Sequence, residues 1–138
     1  MRTRLLPLGV HPRQARVLDA LGRMGKTSQV TLAKEFNLTA ASMSTMTNRL
    51  LQAGLIKRQV DEHELRSNIP CLSTRGKTLL DAIYREWREM DREISDAIGS
   101  ENSEQLADLT YQLRNAIGGF TPGDKKKDEK KESSKNKT

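Results

Sequence analysis

Apolar residues recur at helical spacing along most of this chain, and turn-forming residues interrupt them at a few points. In HPRQARVLDALGRMG, Ala15, Leu18, Leu21 and Met24 lie on one helical stripe. Pro12 suits a first helical position, where its missing N–H would have no partner anyway. Gly25 ends that helix. A second helix, SQVTLAKEF, is capped by Thr27 or Ser28 and uses Val30, Leu32, Ala33 and Phe36 as its apolar positions. Asn37 and Leu38 make a tight turn. Thr39 caps a third helix that runs to about Ala53, and Gly54 stands where a left-handed residue closes a helix.

Beyond Gly54 the period changes. Segments 55–60 (LIKRQV) and 68–72 (NIPCL) read as short strands around a charged tip, DEHELRS. Ser73 or Thr74 caps a long helix to about Ile98. From Ile83 its apolar residues Trp87, Met90, Ile94 and Ala97 follow in steps of four, three, four and three, a near-heptad seam. At ~1.5 Å per residue the helix would extend roughly 35–40 Å, more than a compact domain needs. After Gly99 a last helix, about Ser103 to Ile117, carries Leu106, Leu109 and Leu113. The tail from 119 is almost purely Lys, Glu and small polar residues, and its composition predicts disorder. The fold class is mainly α with a small β hairpin. The expected division is a short basic segment 1–9, a domain 10–76, a helical region 77–118 and the tail 119–138.

Charge sharpens this division. The net charge of the 138 residues is +6, but residues 1–77 carry +8, residues 78–118 carry −5 and the tail +3. A basic half joined to an acidic half suggests a surface for an anionic partner and a separate structural module. Cys71 is the only cysteine, which excludes an internal disulfide and fits a reducing compartment. It reads as a buried, inert thiol. No apolar run reaches the length of a membrane span or signal core, so the expectation is a soluble protein of a bacterial or archaeal cytosol with no membrane partner. His11 and His63 are far apart and no cluster has metal-ligand spacing. No phosphate loop, nucleophile elbow or acid/base pair stands out, so no enzyme, catalytic residue, metal or cofactor is expected.

The third helix carries the strongest functional signal. Met43, Met46 and Leu50 form an inward stripe. Thr39, Ala40, Ala41, Ser44, Thr45 and Asn48 lie away from it, flanked by Ser42 and Arg49. These side chains are small or hydrogen-bonding, without the Lys and Glu of an ordinary solvated face. An α-helix must approach a major-groove floor closely, and such a surface permits it. Double-stranded DNA is therefore the expected partner. In the hairpin, Arg58 precedes the tip, and Arg66 is the candidate cation for the neighbouring minor groove. Asp61, or else Glu64, would pair with Arg66 and aim it.

With these residues in view, the chain resembles the winged helix-turn-helix core of MarR/SlyA-type transcriptional regulators. The resemblance rests on Leu32-Ala33, Ser42 to Thr47, Arg49-Leu50, Gly54-Leu55, Arg58, Asp61, Glu64, Arg66, Leu72-Ser73 and Gly76, in that order, and covers about residues 10–118. It implies a homodimer built from the terminal helices, with Ile83, Trp87, Met90, Ile94, Leu106, Leu109 and Leu113 as dimerisation residues. It also implies a palindromic operator and release by a small aromatic effector or an oxidant. Leu65 stands where many members have a first wing-tip Arg, and only about nine residues precede the HPRQARVL segment. The shortened N-terminus motivates an alternative expectation: an interaction protein that heterodimerises with a full-length regulator and antagonises it.

Overall fold

Polar residues placed before the apolar runs do cap helices. The computed structural model describes residues 2–60 and 68–122. Its elements are α1 (Arg2–Leu5), a 3-10 turn (Leu6–Leu8), α2 (Pro12–Met24), α3 (Gln29–Glu35), α4 (Ala40–Gln52), β1 (Ile56–Val60), β2 (Asn68–Leu72), α5 (Thr74–Ile98) and α6 (Ser100–Ala116). His11 caps α2: its ring accepts from the Arg13 amide, while the Gln14 side chain accepts from the His11 amide. Ser28 accepts from the Thr31 amide at 3.1 Å and Thr39 from the Ser42 amide at 3.1 Å. The chain divides into two units, Met1–Tyr84 and Arg85–Thr138.

In the first unit, Leu5, Val17, Leu18, Leu32, Met43, Leu50 and Ile83 are fully buried. The segment ahead of α2 is thus more than a basic leader, because Leu5 enters the core. On α2, Val17 and Ala20 join the expected Ala15, Leu18 and Leu21 inside, so the buried arc is wider than one stripe. Val30 differs from expectation and is 61% exposed, since the seven-residue α3 turns Leu32 and Ala33 inward instead. Strands β1 and β2 pair antiparallel, with Ile56 opposite Leu72 and Arg58 opposite Pro70. The tip between them, with Asp61, Glu62, His63, Glu64 and Arg66, lies outside the described residues.

The joint between α4, the hairpin and α5 is built around Ser73. Gly54, at φ 69°, reverses the chain after α4. The Ser73 hydroxyl donates to the Gly54 carbonyl at 2.6 Å and accepts from the Gly76 amide at 3.0 Å, while the Ser73 amide donates to the Leu55 carbonyl at 3.1 Å. This brings the first turn of α5 against the backbone of Leu55. A Cβ at Gly76 would lie 1.9 Å from the Leu55 carbonyl oxygen, so this position has no room for a side chain.

Farther along α5, Tyr84 donates from its hydroxyl to Asp19 Oδ1 at 2.7 Å, and Arg23 holds Asp19 Oδ2 at 3.0 Å. Tyr84 therefore ties α5 to α2. Partial burial, followed by the hydrogen bond to Asp19, pushes the Tyr84 pKa up from 10.0 to about 12.

In the second unit, Trp87, Met90 and Ile94 of α5 are half-buried. Helix α6 starts at Ser100, three residues earlier than expected. Asn102 donates to the Ile98 carbonyl at 2.8 Å and Ser95 to Ser100 Oγ at 3.3 Å, which holds its first turn directly after Gly99. No residue of α6 is buried. Arg114 stacks 4.7 Å above the Tyr111 ring and donates to Thr121, and the Gly119 amide donates to the Arg114 carbonyl at 2.8 Å. The segment after α6 folds back by these bonds.

Two outcomes follow from the first unit. Gly76→Ala should cost about 1–3 kcal/mol, because the neighbour is backbone and cannot rotate aside; urea unfolding measures it. The raised Tyr84 pKa means the fold favours the neutral phenol. Its contribution is complete below about pH 10 and falls as pH rises from there towards about 12. Tyr84→Phe should remove that alkaline component, seen by comparing unfolding curves of both proteins between pH 8 and pH 11, roughly the range in which tyrosine titrates.

Candidate nucleic-acid interface

Helices α3 and α4 are joined by a turn in which Asn37 takes φ 52°, with the Leu38 amide donating to the Ala33 carbonyl at 2.9 Å. Asn tolerates this left-handed conformation better than most residues. The packing of the two helices has a polar element. Thr47 is buried, and its hydroxyl lies 3.1 Å from Gln29 Oε1 and 3.0 Å from the Met43 carbonyl. One proton serves these acceptors, linking the start of α3 to the middle of α4.

The inward stripe of α4 is therefore Met43, Thr47 and Leu50. Met46, expected inside, is only half-buried and lines a cleft instead. The reason is geometric: Met43, Thr47 and Leu50 already fill the arc facing the core, and Met46 lies on its edge. The predicted outer face is largely outside. Thr39, Ala40, Ala41, Ser42, Thr45, Asn48 and Arg49 are exposed and Ser44 is half-buried. Thr45 donates to the Ala41 carbonyl at 3.1 Å, so its free lone pairs, not its proton, face outward.

Arg58 is exposed on β1 and donates from Nη2 to Asn48 Oδ1 at 3.2 Å. The structure thus brings one wing residue and one α4 residue of the predicted set together. Arg66, Asp61 and Glu64 lie outside the described residues. Cys71 on β2 is half-buried, with its sulfur 3.6 Å from the Lys57 carbonyl.

The cleft was not legible from sequence. It encloses about 630 Å³ between the N-terminal turn of α2 and the outer edge of α4, lined by His11, Arg13, Gln14, Leu38, Ser42, Thr45, Met46 and Arg49. Arg13 and Arg49 have no acidic partner among the described residues. Arg13 is exposed in the first turn of α2. Nothing local pairs it with Arg49.

The residues expected to dimerise separate into two groups. Ile83 is fully buried within the first unit and has no surface to offer a second chain; it belongs to that core. Trp87, Met90 and Ile94 keep part of their surface, and Leu106, Leu109 and Leu113 are 49%, 61% and 62% exposed. Among the described residues, no group of three or more His, Cys, Asp or Glu could hold a metal ion, and no helix is long and apolar enough to cross a membrane.

Comparison with known proteins agrees with this geometry. Residues 8–67 match the model of the MarR family. Among solved structures, a point mutant of S. aureus MepR bound to an oligodeoxyribonucleotide is 26% identical with a TM-score of 0.62, over 83% of this chain and 86% of that one. The S. aureus MepR–DNA complex is 25% identical with a TM-score of 0.66 over the same shares. Wild-type MarR from E. coli, 20% identical with a TM-score of 0.69 over 84% of each chain, shares the fold. No curated protein matches the chain. From Pro12 to Leu72, capped helices lead into a two-stranded antiparallel hairpin, and residues 8–67 of this arrangement are similar to the MarR family by its model.

Proposed function

We propose that this chain is a sequence-specific, homodimeric repressor that binds a palindromic operator and releases it on binding a small aromatic effector. The observation that carries the reading is the outer face of α4. It is exposed, free of long acidic side chains, and made of groups that reach base edges or phosphates at close range. The basic excess of residues 1–77 supplies the sequence-independent part of the affinity. The likeness to MepR in complex with DNA supports the same use of this surface.

Dimerisation is supported by α6. Leu106, Leu109, Leu113 and Ile117 follow a helical stripe, are 49–76% exposed, and would leave a large apolar patch in water if one chain stood alone. A two-fold axis through such a helix gives two copies of α4 and hence two half-sites. The effector reading is supported by the cleft, where Arg13 and Arg49 offer cations beside the apolar Leu38 and Met46. A ligand there would compete with DNA for Arg49. Arg66 is proposed as the minor-groove contact of the wing, aimed by Asp61 or Glu64.

Selection of bound duplexes from a random pool tests the whole reading. The expected product is a palindrome with half-sites roughly one helical turn apart. Recovery of no sequence would reject it. Affinity for the selected site should fall steeply and log-linearly with salt, as counterion release requires, and a flat dependence would rule out a phosphate-dominated interface. Arg66→Ala should weaken binding to that site by ~1–3 kcal/mol in gel shift; an unchanged titration would remove Arg66 from the interface.

A further inference from the structure

The link between Asn48 and Arg58 determines what Asn48 can read. A guanidinium has only donors, so the asparagine atom that faces Arg58 must be the carbonyl oxygen. The observed Nη2–Oδ1 distance of 3.2 Å fixes the orientation of the carboxamide, with Oδ1 towards the wing and the amino group away from it. Asn48 and Arg58 are both exposed, and neither has another partner among the described residues that would hold it differently.

The two-point recognition of adenine by asparagine needs both ends of the amide. Nδ2 donates to adenine N7, and Oδ1 accepts from the adenine amino group. Oδ1 keeps a second lone pair, but the guanidinium beside it competes with and repels the adenine amino group, so the two-point pair is weakened while the N–H donors are unaffected. Those donors match a base edge that presents acceptors alone, which in the major groove is guanine with N7 and O6 or thymine with O4. We propose that Arg58 is a positioning residue that biases Asn48 towards reading through its donors, so that this position of each half-site favours guanine over adenine. This rests on the DNA-binding reading above and adds the base identity to it.

The experiment is selection from a random duplex pool with three proteins: wild type, Arg58→Ala and Asn48→Ala. Asn48→Ala identifies the position, as the one symmetric base pair whose preference disappears. At that position the wild type should favour guanine. Arg58→Ala frees Oδ1 and should move the preference to adenine, with the guanine-to-adenine ratio falling by about fivefold to a hundredfold, the range of one bidentate contact. Circular dichroism checks that both variants keep the fold, as their exposed positions lead one to expect. Three results would overturn the proposal: a wild-type preference for adenine at the Asn48 position, an Arg58→Ala protein that loses affinity equally for all sequences, or no base preference that depends on Asn48. If the wild type enriches no sequence at all, the DNA-binding reading fails with it. If the wild type enriches a palindrome but Arg58→Ala leaves its base preferences unchanged, only the positioning role fails.

Discussion

The absence of a side chain at Gly76 is the constraint on which the first unit depends. It allows the opening turn of α5 to lie against the Leu55 carbonyl, and the Ser73 hydroxyl then bonds both Gly54 and Gly76. Three segments meet there: the end of α4, the base of the hairpin and the start of α5. Because β1 begins at Ile56, directly after this joint, the wing is fixed relative to α4 at its root. The distance between Asn48 and Arg58 is a consequence of that fixation, as is any shared footprint of the two elements.

The second organising feature is the division of labour on α4. Its inward side is thin: Met43, Thr47 and Leu50 are its only buried residues. Thr47 costs little there because its hydroxyl proton has acceptors in Gln29 and in the backbone of its own helix. The thin core leaves more than half of the helix surface for contact. Ala40 and Ala41 on that surface are exposed, so burial in the core offers no reason for their small size. A face so free of bulk is consistent with close approach of a partner. The same logic applies in reverse to α6, whose Leu106, Leu109 and Leu113 keep about half or more of their surface exposed.

Much of this is legible in the sequence because it is local. Caps act over three residues, and Thr39, Ser28 and Gly54 stand where their chemistry predicts. The strands are legible to within one residue, since the change of period after Gly54 is abrupt. The exposed face of α4 is legible because a helix fixes which residues share a side. The misreadings arise where local pattern leaves a choice. Met46 and Thr47 both border the inward arc, and hydrophobicity favours Met46, whereas the hydrogen bond from Thr47 to Gln29 makes the polar residue acceptable inside. Ile83 continues the near-heptad seam of α5, yet it lies before the point where the first unit ends, and that core claims it.

By itself the sequence determined the order and type of elements, the caps that bound them, the small-residue face of α4 and the concentration of basic charge in residues 1–77. Each follows from backbone periodicity or from side-chain chemistry within a few residues. Only the tertiary structure decided which distant residues share a site. It set Arg13 beside Arg49 across a cleft, turned the Asn48 carbonyl towards Arg58, and joined Tyr84 to Asp19. These pairs depend on how helices and strands pack, and packing is fixed by contacts between residues far apart in the chain. No local period encodes them.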